Sequence, residues 1–247
     1  MNKICVIAFN SGLGDHIVMS AGVRLLAKQY KYLHLICRNS DYNQKFLYKD
    51  APNIKTITHR ASVKDFKIIL NKYRSKYNQS IDVDFKCFFC NTSDNWPELM
   101  KKFNLDIRTK NWCDLFYTIF KLPLEERYNF YFERNFEREK SLEEKIKLPE
   151  KYIFAVDRWS AKKINIDYHD KSIPIINPDN YSFETSIFDW MGVIEKSECI
   201  YTVDTSWFHL IYYMQLKDKI KFFYRVRNVP CANYFANDSF NKNWFIV

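Results

Sequence analysis

The sequence predicts an α/β protein made of two open, mostly parallel sheets covered by helices, one sheet in each half of the chain. Three observations carry this. Short apolar runs alternate with helically spaced apolar stripes, the alternation begins again after a charged interval, and three of the four glycines fall at residues 12, 14 and 22, just behind the first apolar run. With 247 residues, 47% hydrophobic and 27% charged, the chain is a folded protein. That composition excludes a disordered tail, a disulfide-stapled scaffold and a collagen-like repeat.

Residues 4–9 (ICVIAF) form the first strand, Ser11-Gly12-Leu13-Gly14 breaks it, and Val18, Ala21, Gly22, Leu25 and Leu26 then recur at helical spacing. Strands follow at 33–37, 54–58 and 82–89. Val63, Phe66, Ile69, Leu70, Tyr73 and Tyr77 mark an amphipathic helix before the last of these, and Lys64, Lys67, Lys72, Arg74 and Lys76 lie mostly off its stripe, as a solvated face. Residues 122–150 are highly charged and carry Pro near both ends, which divides the chain into units 1–125 and 126–247. The second unit repeats the pattern, with strands at 151–156, 172–176, 199–203 and 219–224 and helices near 134–147, 184–196 and 206–215. Two such units predict a central cleft between the carboxyl edges of their sheets, where ligands of α/β folds bind.

The net charge is +9, and all of the excess lies in the first half: 19 Lys+Arg against 10 Asp+Glu in residues 1–120, balanced afterwards. Seven cysteines scattered through apolar runs suit buried thiols, and cytoplasm is the expected compartment. The first apolar run is too short for the core of an export signal, and the charge-free stretch 205–216 is too short for a transmembrane span.

Two sites carry chemistry. In the first, clustered glycines in a glycine-poor chain imply positive φ or close backbone approach behind strand one. The dinucleotide pattern G-x-G-x-x-G fails there: Ile17 takes the third glycine's place, Arg38 and Asn39 end the second strand where an acidic ribose ligand belongs, and Asp15 would repel a pyrophosphate. Asp15 reads as a helix N-cap, as a general base at the tip of strand one, or as both. His16 beside it is either a surface residue or a partner in acid/base work.

In the second site, YTVDTSWFH runs from a strand ending at Asp204 into a helix opening with Thr205 and Ser206. Free N–H groups and the positive dipole end at Ser206 and Trp207 suit an anion, with the two hydroxyls as further donors and His209 one turn on. Simple capping by Asp204 or Thr205 accounts for the same residues. Arg158, Lys162 and Lys163 follow the strand KYIFAV at a predicted carboxyl edge, Arg158 as a phosphate ligand or as a loop cation paired with Asp157. Glu184, Asp189 and Glu195 are solvated helix charges or, in one case, a ribose ligand. A single C-x-x-C, Cys87 to Cys90, has no second pair with which to hold zinc, and the five histidines include no i, i+4 pair.

The segment SGLGDHIVMSAGVRLL resembles the opening strand, turn and helix of the heptosyltransferase-like (family 9) glycosyltransferases, and VDTSWFH resembles their D-T-x-x-x-H box. The two motifs stand in the right order, about 190 residues apart, one in each half. The resemblance implies a GT-B architecture of two Rossmann-like domains, with the acceptor on the N-terminal one and a nucleotide-diphosphate sugar on the C-terminal one, inversion at the anomeric carbon, no metal and no cofactor. It carries the catalytic carboxylate onto Asp15 and the diphosphate box onto Asp204, Thr205 and His209, with Ser206 where the family has a small residue. Gly12 and Gly14 belong to the first motif, and Arg158 and Lys162 to the loop where similar enzymes keep a phosphate-contacting cation. Bulky Trp207 and Phe208 in the middle of the box and the short chain depart from the family pattern.

The reading that follows is a glycosyltransferase with a nucleotide sugar donor and a glycan or glycolipid acceptor. The basic first half suits an anionic acceptor and admits peripheral membrane contact, and no nucleic acid is expected as a partner. The competing classes are a non-catalytic binder of nucleic acid or an acidic polymer, for which no RNA- or DNA-binding signature speaks, and an NADP-dependent oxidoreductase, which Ile17 and Asp15 oppose.

Overall fold

The computed structural model describes residues 3–9, 12–38, 44–59, 83–88, 112–159, 162–226 and 243–247, with isolated positions between 68 and 104. The predicted helix over 63–77 falls largely outside the described residues, as does the C-x-x-C pair. The chain divides into two compact units, Met1–Glu133 and Arg134–Val247. The division falls beyond the charged interval's start because the 3-10 turn Leu124–Tyr128 packs on the first helix.

In the first unit, β1 (Ile4–Phe9), β2 (Tyr32–Arg38), β3 (Ile54–His59) and β4 (Val83–Phe88) form a fully parallel sheet in the order β3-β2-β1-β4. Strands of such a sheet are covered on both faces, so they read as continuous apolar runs: Cys5, Val6 and Ile7 in β1 and Leu35, Ile36 and Cys37 in β2 are inaccessible to solvent. Helix α1 (Leu13–Ala27) follows β1 and is buried along most of its length. A short α2 (Gln44–Leu47) and α3 (Trp112–Ile119) also belong to the unit. The sequence reading did not mark α3.

None of the glycines has positive φ, so that expectation fails. Close approach holds, but at Gly22 and not in the turn. A Cβ there would stand 2.7 Å from a ring carbon of Phe116, and the Gly22 N–H donates to the Tyr117 hydroxyl at 3.0 Å. Gly22 is therefore the contact point of α1 and α3. Gly22→Ala overpacks this contact and is expected to cost about 1–3 kcal/mol, read by chemical denaturation; an unchanged midpoint contradicts the packing.

In the second unit, α4 (Phe136–Ile146) precedes β5 (Ile153–Ala155), and Asn135 caps it by accepting the Arg138 N–H at 3.0 Å. A two-residue antiparallel hairpin, β6 (Arg158–Trp159) and β7 (Lys162–Lys163), follows. Then come β8 (Ile175–Ile176), a 3-10 turn Ile187–Trp190 continuing into α5 (Met191–Lys196), β9 (Cys199–Val203), α6 (Ser206–Tyr213), β10 (Ile220–Tyr224) and β11 (Trp244–Ile246). The helix predicted over 184–196 thus begins later, where Ser186 and Asp189 close a capping box. The main sheet is parallel throughout, in the order β11-β10-β9-β5-β8. Helices α4 and α5 are clasped by ions: Arg134 bridges Glu139 and Glu195, Arg138 holds Asp189 and Lys196 holds Glu143. Cys5, Cys37 and Cys199 are buried thiols. Among the described residues, no helix is long and apolar enough to cross a membrane.

Candidate functional site

Each sheet has one point where the strand order reverses, and the carboxyl ends of the strands flanking it leave a crevice for ligands. In the first sheet the chain steps outward from β1 to β2 and β3, then returns to the other side of β1 as β4. The loop after β1 therefore leads into the switch point, and α1 begins there. Gly12 is its N-cap, in an extended conformation, and Gly14 is buried within the first turn.

Asp15 is the third residue of α1, not its N-cap as one sequence reading had it. It acts as a cap from inside: Oδ2 accepts the Gly12 N–H at 3.0 Å, and the carboxylate lies at the positive end of the helix dipole. The side chain is half-buried. A carboxylate held at a helix start and partly open to solvent can also take a proton.

His16 differs from both of its sequence readings. It is fully buried, and desolvation pushes its imidazole down to about 3. It stays neutral inside the sheet–helix layer and does not serve as a solvent-facing acid or base. Since the native pKa lies below the ordinary 6.5, the unfolded chain binds a proton that the native chain does not between those values. Stability contributed by neutral His16 is present above about 6.5 and lost as pH falls toward 3. His16→Leu is expected to flatten the acid limb of a denaturation midpoint measured from pH 7 to 4; an unaltered slope rules out His16 as its source.

In the second sheet the switch lies between β5 and β9, adjacent parallel strands paired Ala155↔Tyr201 and extended by the Val156 N–H donating to the Tyr201 carbonyl at 2.9 Å. The loops leaving these two strands carry the residues singled out from the sequence. After β9, Asp204 is buried, Thr205 is the extended N-cap of α6, Ser206 is the helix's first residue, and His209 is buried one turn on. Thr205 does not cap with its side chain: its hydroxyl donates to the Val203 carbonyl at 3.3 Å. The Thr205 side chain therefore does not take the first N–H groups of α6, and a helix N-terminus of this kind suits an anion.

Of Trp207 and Phe208, which interrupt the small-residue box, Phe208 turns into the core and Trp207 is half-buried. Trp207 packs on Phe154 and Trp190 with ring centroids 5.8 and 6.1 Å apart, and Phe208 on Phe223 at 4.5 Å. Their bulk fills the space between α6 and the sheet.

After β5, Arg158 and Lys162 lie on the two strands of the β6–β7 hairpin, both exposed. Arg158 does not pair with Asp157; its Nε meets Asp179 at 2.8 Å, while Lys163 holds Asp157 at 3.2 Å. The structure thus gathers Gly12, Gly14 and Asp15 in one turn, and Asp204, Thr205, Ser206 and His209 in another beside the loop of Arg158 and Lys162. Of the carboxylates considered for ribose, Asp189 and Glu195 are engaged by Arg138 and Arg134, and Glu184 is exposed. Buried Asp157, held by exposed Lys163, is a part of the site that sequence reading treated only as a charge near Arg158.

No family model matches the chain, and no curated protein matches it. Among solved structures it is similar to the crystal structure of the glycosyl transferase family 9 from Veillonella parvula DSM 2008, with a TM-score of 0.56 and 11% identity over 100% of this chain and 87% of that one. At that identity the likeness is one of fold: the chain has a GT-B-like α/β fold with mostly parallel sheets.

Proposed function

We propose that the chain is a metal-independent inverting glycosyltransferase that moves a hexosyl, pentosyl or heptosyl group from a nucleotide-diphosphate sugar to a hydroxyl of a glycan or glycolipid acceptor. One observation carries the reading: Asp15 and the Asp204–His209 turn each stand at the switch point of a parallel sheet, one offering a carboxylate and the other a helix N-terminus with hydroxyls. The likeness in fold to a glycosyl transferase family 9 structure adds support.

In this reaction Asp15 accepts the proton of the acceptor hydroxyl as its oxygen attacks the anomeric carbon, the bond from that carbon to the diphosphate oxygen breaks, and the configuration inverts. Negative charge grows on the departing nucleoside diphosphate. The first N–H groups of α6, the Thr205 and Ser206 hydroxyls, His209, Arg158 and Lys162 meet it. Arg158 would exchange Asp179 for phosphate at little cost, since exposed ion pairs are worth about 0–1 kcal/mol. The acceptor belongs to the first unit, whose surplus of positive charge suits an anionic glycan or glycolipid.

The test is thermal stabilisation by a panel of nucleoside diphosphates, followed by mass spectrometry of the matching nucleotide sugars with glycan acceptors. At least one diphosphate should raise the melting temperature, and the combined Thr205→Val and His209→Ala variant should weaken that ligand roughly tenfold, the loss of one or two charge-assisted contacts. A chain that no nucleoside diphosphate stabilises ends this reading.

A further inference from the structure

The loop behind β5 holds a buried carboxylate that the proposed reaction leaves unused. The Asp157 side chain is 8% exposed, its Oδ2 meets Lys163 Nζ at 3.2 Å, and its Oδ1 is buried with no hydrogen-bond partner among the described residues. The backbone fixes it from both sides: the Asp157 carbonyl accepts the Ile164 N–H at 2.8 Å, and the Val156 N–H just before it is tied to β9. The carboxylate lines a cavity of about 280 Å³ beside the ends of β5 and β8, together with Lys163, Asn165, Tyr168, Asn177 and Asn180. Ile166 and Ile175 give it apolar walls. Asn177 is itself buried; its Oδ1 accepts the Asp179 N–H at 3.0 Å, which leaves its NH₂ group as a donor not used in that turn.

The chemistry of this lining narrows the occupant. A carboxylate only accepts, so the group that satisfies Oδ1 must donate, and an anion there would be repelled. A metal ion is disfavoured, because Lys163 already places its ammonium on the carboxylate and, among the described residues, no three His, Cys, Asp or Glu side chains converge to hold one. Side-chain amides both donate and accept, as hydroxyls do. The volume lies below the roughly 300–1,000 Å³ typical of sites for drug-sized ligands, so it suits a single ring.

We propose that this cavity is a subsite for one neutral polyhydroxylated ring, with Asp157 Oδ1 accepting a hydrogen bond from a ring hydroxyl and so governing which sugars the second unit admits. The assignment rests on the donor-side reading of that unit and names the part of the donor that the phosphate-binding turn leaves uncontacted. The ring is either the ribose of the nucleoside or the transferred sugar.

The experiment is a titration of the ¹⁵N-labelled full chain with ribose, with methyl glycosides of common hexoses and heptoses, and with inorganic diphosphate, following the side-chain amide signals of Asn165, Asn177 and Asn180. Ribose or one class of glycoside should shift those signals, and which of them does so identifies the source of the ring. Asp157→Ala should weaken that ring compound at least tenfold, and Asp157→Asn, which keeps the shape, should weaken it less while preserving the native spectrum. Inorganic diphosphate should leave the three amides unmoved. No response to any ring compound, as in a cavity that holds only water, overturns the proposal, and so does binding that survives both substitutions. Nucleoside diphosphate binding is read separately from its ³¹P signal. A chain that binds the diphosphate but no ring compound defeats this proposal alone, and the reverse defeats only the donor reading.

Discussion

Asp15→Asn is expected to lower the rate of sugar transfer by about 10²–10⁴, the range that a positioned general base contributes, with nucleoside diphosphate affinity unchanged. The variant separates the capping role of this side chain from its proposed role as base. Asn keeps an oxygen that can accept the Gly12 N–H, which Asp15 now holds at 3.0 Å, so the start of α1 stays capped while the proton acceptor is lost. Asp15→Ala removes both and should add a stability loss of about 1 kcal/mol, the usual worth of a cap. Melting temperature and turnover measured on the two variants therefore form a pair: both inactive, only the alanine variant less stable. Turnover of Asp15→Asn within threefold of the parent excludes Asp15 as the base and leaves it a capping residue.

The largest expected change in stability lies in the second unit. The Arg134 guanidinium donates to Glu139 Oε1 at 2.9 Å and Oε2 at 2.5 Å, and to Glu195 Oε1 at 2.6 Å. Glu139 is only 4% exposed, and a Cβ on Gly192 of α5 would come within 3.0 Å of its Oε2, so it cannot turn out to water without disturbing the α4–α5 contact. Arg134→Ala strands a buried negative charge and should cost about 3 kcal/mol or more. Replacing the pair together, Arg134→Met with Glu139→Leu, should recover most of that loss, because apolar side chains need no partner. Chemical denaturation of the single and double variants checks this; a single variant within 1 kcal/mol of the parent shows that water already solvates Glu139.

Much of the fold was legible in the sequence because parallel strands buried on both faces leave an unmistakable trace. ICVIAF matches β1, and CIYTV matches β9 residue for residue. The helices behind them were legible for the same reason, since each follows its strand through a short polar or glycine turn. What stayed hidden depends on contacts rather than on period. The β6–β7 hairpin is two residues on each side, too short for alternation to register, and β11 is a parallel edge strand of three residues. Composition signalled that the glycines of residues 12–22 mattered, but the close approach is at Gly22 alone, against the rings of Phe116 and Tyr117 about a hundred positions away, which no local pattern encodes. At the site, residue types and order located the two turns, whereas partner choice was out of reach. Arg158 turning to Asp179 and Lys163 turning to Asp157 follow from the hairpin's geometry, and so does the buried oxygen of Asp157.

The indole of Trp207 has a use outside chemistry. It is the second residue of α6, with its ring wedged against Phe154 and Trp190 and its backbone in the turn assigned to phosphate. Any occupant of that turn alters the field around a native fluorophore. Emission intensity and wavelength can therefore report ligand arrival in a stopped-flow instrument without a dye, and Trp207→Phe separates the signal of this indole from that of the other five tryptophans.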